Sequence, residues 1–352
     1  RRHVAHRKGS RPRAPLSWSM GMTAATIIGA GVAGLCVARA LLDHGADVVL
    51  VDRHTDAGPH ACSWWAGGML APFCEGESAE EPVVRLGCEA ADWWEAKTSA
   101  VKRRGSLVVS LARDTSDLAR FARRTTGFRH VNGPEISNLE PDLADRFAKG
   151  LFFESEAHLA PRLALAQLRA SVLADGGAFV QEDADPDEYA QRGLTIDCRG
   201  FQAKDKLHDL RGVKGEMLVL SCPDVTLTRP IRLLHPRLPL YIVPRGDGIF
   251  MLGATMVEGH AGKHVTARAL LELLSAAYAL NPAFGEAEVL EIGVDSRPAF
   301  PDNLPRIRRD GNLIRANGLF RHGFLLAPAV ARMVADLIFD NKTPEVMGET
   351  AA

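Results

Sequence analysis

The sequence predicts an α/β fold in two parts, one a parallel sheet built on a strand–turn–helix–strand unit and the other a mainly antiparallel sheet. Three observations carry this. Residues 24–52 read as apolar strand, Gly-rich turn, helix and second apolar strand, about thirty residues, the size of a βαβ unit. From residue 213 onward, EMLVLS, TLTRPIRLL, LYIVPR and IFMLGAT are short β-type runs separated by Pro and Gly, a pattern of antiparallel strands. The length of 352 residues suits about two domains.

The elements follow in order. AATII at 24–28 is the first strand, and GAGVAG occupies 29–34. A helix then runs to about His44, with Val32, Leu35, Cys36 and Leu42 spaced to face a sheet. Gly45 stops it, and DVVLV at 47–51 is the second strand, ending on Asp52. HACSWWAGGMLAP (60–72) reads as a loop, 82–100 as one helix, 105–111 as a strand and 114–125 as an amphipathic helix. LEPDL (139–143) is a turn and 150–159 a single strand, and Pro161 opens a helix over 161–175. Residues 177–181 and 193–198 return as strands to the first sheet. After the antiparallel runs come a helix at 266–280, the strand VLEIGVDSRPAF, then LIRAN, GLFRHGFLL and a closing helix at 328–340 that opens near Pro328. Residues 23–80, 140–212 and 310–342 form the dinucleotide-binding part on this reading, and 81–139 with 213–309 the substrate part.

Composition removes several classes. Hydrophobic residues at 46% and charged residues at 24% are those of an ordinary globular protein. A net charge of −1 gives no global attraction to nucleic acid or to an anionic membrane. Residues 1–22 are the local exception, with Arg1, Arg2, Arg7, Lys8, Arg11 and Arg13 and no acid. They read as a basic, disordered extension, an early start or a targeting segment, and they lack the apolar stretch of a secretory signal. FLLAPAVARMVADLIF is broken by Arg332 and Asp336, so no membrane span is expected. Cys36, Cys62, Cys74, Cys88, Cys198 and Cys222 form no C-x-x-C pair, and no His cluster has metal-ligand spacing. Reduced thiols, no metal and a cytoplasmic location are expected.

Each Gly of GAGVAG has a mechanical task. Gly29 permits the tight turn, Gly31 lets backbone approach a pyrophosphate, and Gly34 lets the helix pack on the strand. The helix N-terminus offers unpaired N–H groups and positive dipole to the phosphates. Asp52 ends the second strand where an acid accepts from ribose hydroxyls and repels a 2′-phosphate. Gly29, Ala30, Gly31, Val32, Gly34, Asp52 and Arg53 are therefore the candidate phosphate and ribose residues. The unit alone does not choose FAD over NAD.

Three further segments make the choice. SWWAGGMLAP at 63–72, YIVPRGDGIFMLGATM at 241–256, and GVDSRPAFPDNLP with GLFRHGFLLAP at 293–305 and 318–328 resemble, in this order, the thiamine-pathway glycine oxidases of the D-amino-acid oxidase family. The resemblance spans Ala24 to about Asp340. It implies non-covalent FAD, a small amino acid as substrate and O2 as acceptor, giving imino acid, glyoxylate, ammonia and hydrogen peroxide. It also implies a homo-oligomer, a tetramer in the family. Sarcosine or D-amino-acid oxidation, a dehydrogenase, and a non-catalytic flavin-binding partner of thiazole synthesis stay open as alternatives.

By position, the resemblance places Cys62, Ser63, Gly67, Gly68 and Met69 along the flavin, the glycines giving it close approach. Leu319, Phe320, Arg321, His322, Gly323, Phe324 and Leu325 wrap it from the C-terminal side, and the helix opening near Pro328 points N–H groups at it. Arg297 matches the arginine that pairs with the substrate carboxylate, a planar fork that lysine cannot copy. Arg321 matches a second position near the substrate, while Tyr241 and Met256 match pocket-lining ones. Trp64 and Trp65 depart from the family pattern, standing where small residues are common, and are expected to reshape the pocket entrance.

Overall fold

The computed structural model describes residues 23–235, 239–259 and 263–348, so the expected basic extension lies outside the described residues. Strand β1 (Ala24–Ile28), helix α1 (Val32–Asp43) and strand β2 (Asp47–Asp52) form where the pattern puts them. They lie in a six-stranded sheet ordered 306–310, 313–317, 194–197, β1, β2, 178–181. All neighbours pair parallel except the 306–310/313–317 hairpin. Helix α1, Pro161–Ala174 and Gly323–Phe339 supply the apolar core on this sheet.

The nine-stranded second sheet is mainly antiparallel, with one parallel pair between 231–234 and 106–110. Its two faces divide by the period of two. Ile231, Leu233, Leu240, Ile242, Phe250 and Leu252 pack under helix Ala267–Leu280. On the other face the ladder sets Arg232 opposite Tyr241, and Tyr241 opposite Gly253. Directly opposed residues share a face, so register alone brings Arg232 and Tyr241 together. The row of apolar residues fixes that register, because a one-residue slip would bury the arginine in the core.

Four sequence expectations need correction. The helix expected over 82–100 is two, Glu81–Gly87 and Ala90–Lys97. Both pack into the first core through Val83, Leu86, Ala90 and Trp94, not on the second sheet. The strand expected over 150–159 splits at a turn. Lys149–Phe153 joins the nine-stranded sheet, and Ala157–Leu159 pairs with Met69–Leu70 and Val101–Lys102 in a small third sheet. Strand Arg306–Asp310 belongs to the first sheet although it begins inside the segment read as substrate part.

The last correction concerns Pro328, which lies inside the final helix rather than at its start. The helix opens at Gly323 with His322 as its N-cap. A proline there removes the N–H that would reach the Phe324 carbonyl four residues back. The Trp94 indole N–H fills that vacancy, donating to Phe324 O at 2.8 Å from a fully buried position. Trp94→Phe should keep most of the ring packing yet orphan the carbonyl. The expected cost is about 1–3 kcal/mol, read as a lower urea midpoint, and an unchanged midpoint would show that the helix tolerates the orphan.

Candidate active site

A cavity of about 1180 Å³ runs along the carboxyl ends of β1 and β2 to the inner face of the second sheet. That exceeds the roughly 300–1,000 Å³ of ordinary small-molecule pockets, as a dinucleotide lying beside a substrate requires. Every candidate residue named from sequence lines it except Gly34.

The three glycines divide their tasks by what surrounds them. Gly29 has φ +101°, and an added Cβ would meet the Cys198 carbonyl oxygen at 2.6 Å. A Cβ on Gly34 would lie 1.8 Å from the Gly29 carbonyl oxygen, so α1 crosses the turn at backbone contact. Gly31 differs, since its Cβ position meets nothing nearer than Ser63 Oγ at 3.4 Å. The open space therefore lies at the helix N-terminus, where a phosphate would sit. Asp52 accepts from Ala30 N at 2.7 Å and from His54 N at 2.9 Å, bracing the turn. Ser63 Oγ accepts from Val32 N at 3.1 Å and ties the 62–69 loop to the same helix start.

That loop is held by contacts the sequence did not disclose. Arg245 donates to the carbonyls of Ala66, Gly67 and Leu159 at 3.2, 2.9 and 3.3 Å, and burial pulls its pKa down to about 10. Gly68 has φ +74°, and its Cβ position would lie 2.3 Å from the Leu159 oxygen. At Gly67 the neighbour is the Tyr241 ring, 3.0 Å from the Cβ position. Packing against protein backbone thus already requires Gly68, while a side chain at Gly67 would have to push the Tyr241 ring back by a few tenths of an ångström. Trp64 does not line the cavity. It stacks beneath Arg162, which is 4.1 Å from its ring and holds Glu291 bidentately at 2.7 and 2.8 Å. Trp65 covers Gly293, where a Cβ would be 2.2 Å from its ring. The tryptophans brace the loop on strand Glu288–Ala299, which carries Arg297.

At the substrate end, one carboxylate gathers three neighbours. Glu75, at the end of helix Pro72–Glu75, pairs with Arg232, with Arg321 at 2.9 Å and with His322 at 2.8 Å. Burial pushes the Glu75 pKa up. Arg321, Arg232 and the His322 hydrogen bond outweigh that and hold it well below the usual carboxylate range. An ionised carboxylate only accepts, so His322 Nε2 carries the proton and Nδ1 is left buried without a partner among the described residues. Burial also lowers the His322 pKa, keeping the ring neutral. His322 itself lines the cavity, so the Glu75 hydrogen bond fixes the orientation of a ring that forms part of its wall. Phe320 beside it holds φ +51°, and its N–H donates to Pro298 O at 2.8 Å, fastening this loop to the Arg297 strand.

Sequence reasoning missed Glu75 and Arg232. Each had a faint signal. Glu75 is an acid within the apolar run MLAPFCEG, and Arg232 is a cation inside the short apolar strand IRLL.

Arg297 stands apart. It is 8% exposed, its Nη1 donates to Thr255 O at 3.1 Å, and no carboxylate pairs with it among the described residues. Gly215 makes room, since a Cβ there would lie 2.2 Å from Arg297 Nη2. The Tyr241 ring lies beside it between Gly67 and Gly253. Burial raises the Tyr241 pKa against the pull of Arg297, so its hydroxyl keeps its proton and can donate. Arg321 and Arg232 share Glu75 and Arg245 is spent on carbonyls, which leaves Arg297, among the described residues at this end of the cavity, as the buried cation with capacity for an external anion.

A family model described as FAD dependent oxidoreductase (DAO) matches residues 25–337. A Rhizobium etli protein named as a thiamine biosynthesis oxidoreductase, ThiO, is 53% identical over 325 residues, covering 90% of this chain and 97% of that protein. A glycine oxidase of Pseudomonas aeruginosa is 27% identical, covering 89% and 93%. The crystal structure of glycine oxidase from Geobacillus kaustophilus superposes with a TM-score of 0.76 at 21% identity, covering 92% and 95%. Among the described residues no helix is long and apolar enough to cross a membrane, and no group of His, Cys, Asp or Glu could hold a metal.

Proposed function

Because this chain belongs to the DAO family of FAD-dependent oxidoreductases, we propose that it oxidises glycine to the imino acid, with sarcosine and small D-amino acids as neighbouring substrates. Hydrolysis of the imine gives glyoxylate and ammonia, and O2 is reduced to hydrogen peroxide. Taken up before hydrolysis, the glycine imine would serve thiazole formation in thiamine synthesis, a role that the name of the Rhizobium etli relative supports. The observation that carries the reading is Arg297, a buried guanidinium without a carboxylate partner among the described residues, facing a cavity. A buried charge of this kind is costly until an anion neutralises it, and an amino-acid carboxylate matches its fork.

The residues present fit FAD. The open space at Gly31, the Asp52 carboxylate and the 62–69 loop would hold its phosphates, ribose and ring system. Bound there, FAD supplies a two-electron acceptor and passes the electrons to O2. The chemistry of the flavin-loop thiol favours non-covalent attachment. Cys62, in the flavin loop, is pushed up to about 12 by burial and next by Asp295, so it stays protonated and a poor nucleophile.

The chain's own work is placement. Arg297 fixes the carboxylate, and the Tyr241 hydroxyl donates to its second oxygen. Glu75 holds Arg321 and His322 in the wall so that neither competes for substrate. Orientation and removal of water from around the α-carbon are the gains such a pocket offers, and no side-chain base is required for an amine bound neutral.

Turnover with glycine, sarcosine and D-phenylalanine, with peroxide and glyoxylate both quantified, tests the proposal. Glycine should give the two products in equal amounts, and D-phenylalanine should be the slowest of the three. Faster D-phenylalanine would make this a general D-amino-acid oxidase. Turnover with a dye but no peroxide under air would make it a dehydrogenase.

A further inference from the structure

The structure assigns Met256 as an oxidation site for the peroxide that this enzyme makes, and so as a built-in limit on its own turnover. The inference rests on the proposed function in one respect, that hydrogen peroxide leaves through the cavity. Met256 lines that cavity and is 55% exposed, a large apolar side chain presented to solvent. Its sulfur lies 3.8 Å from Arg321 Nη1. Arg321 in turn holds Ser78 Oγ at 2.5 Å and Glu75 at 2.9 Å. The thioether therefore sits at the cavity mouth, within reach of a cation that belongs to the site wall.

Thioethers are oxidised by peroxide to the sulfoxide, turning a flexible apolar side chain into a polar one. The Met256 sulfur attacks one peroxide oxygen and the O–O bond breaks. One oxygen stays on sulfur, and the other leaves as water with both protons. Sulfur loses two electrons and peroxide gains them, so no further reagent is needed. Sulfur is a weak acceptor, whereas a sulfoxide oxygen is a strong one. Placed where the sulfur now meets Arg321, that oxygen competes with Glu75 and Ser78 for the guanidinium. Arg321 is drawn towards the mouth, and the Glu75 cluster loses one of its two arginines.

Met347 is the internal control, because it is 40% exposed and lines no part of the cavity. The experiment runs the holoenzyme to several thousand turnovers with glycine under air, with and without catalase, and maps methionine sulfoxide by peptide mass spectrometry. Peroxide yield is measured in parallel. A second sample receives the same total peroxide from a bottle and no substrate. Turnover should oxidise Met256 at least five-fold more than Met347, catalase should leave that excess in place, and bottled peroxide should give a ratio within two-fold of one. Met256→Leu, whatever its starting rate, should keep a larger fraction of that rate over the same number of turnovers. Equal oxidation of Met256 and Met347 during turnover, or full protection of Met256 by catalase, overturns the assignment. Absence of peroxide from the parallel assay overturns the proposed function and this inference with it.

Discussion

Arg297→Ala should retain its flavin, melt no lower than the parent protein, and lose roughly 10² to 10³ in kcat/KM for glycine. The loss follows from truncating one side of a buried, charge-assisted carboxylate pair, about 3–4 kcal/mol, at about 1.4 kcal/mol per decade. The unchanged stability follows from the free protein, in which Arg297 is buried and faces no carboxylate among the described residues, so deleting it removes a desolvated charge and breaks no ion pair, a relief that offsets the lost hydrogen bond to the Thr255 carbonyl. Arg321→Ala should behave differently, because it strips a partner from the ionised, buried Glu75. That change should lower the melting temperature, an effect that separates wall from clamp. Arg297→Lys should recover little, since an ammonium cannot reproduce the fork. Steady-state kinetics, flavin content and thermal melting on the three variants decide the matter. An Arg297→Ala enzyme within a few-fold of the parent on glycine would move the carboxylate to Arg321.

The second large effect concerns two glycines three residues apart. Gly34→Ala should abolish soluble holoprotein, because its Cβ would lie 1.8 Å from the Gly29 carbonyl oxygen, a backbone atom that no rotamer change can move. Gly31→Val should instead give folded protein without flavin. Its side chain enters space bounded only by Ser63 Oγ within 4 Å, the space a pyrophosphate needs. Far-ultraviolet circular dichroism and flavin absorbance separate the two outcomes. Normal flavin content in Gly31→Val would place the phosphates elsewhere.

What could be read from the sequence divides along physical lines. The βαβ unit was legible because its signals are local: strand, turn glycines, helix and terminal acid within about thirty residues. The antiparallel runs after residue 213 were legible for the same reason. Breaks inside apolar runs were not. The split at Cys88 and the turn after Phe153 depend on tertiary packing, and the helix start at Gly323 was masked by Pro328, which leaves the Phe324 carbonyl to a tryptophan 230 positions away in sequence. The site shows the same contrast. The motif residues meet in one cavity, while Glu75, Arg232 and Arg245 act through partners contributed by distant segments. No local pattern announces such a partnership.

The most direct test of the central claim, that this cavity holds FAD against a small amino acid fixed by Arg297, is anaerobic mixing of the purified yellow protein with glycine while flavin absorbance is followed. The account predicts full bleaching by glycine and by sarcosine, slower bleaching by bulky D-amino acids, and recovery of colour on admitting air. Flavin that stays oxidised with every amino acid tried would contradict it and leave a flavin-binding protein that catalyses no amine oxidation.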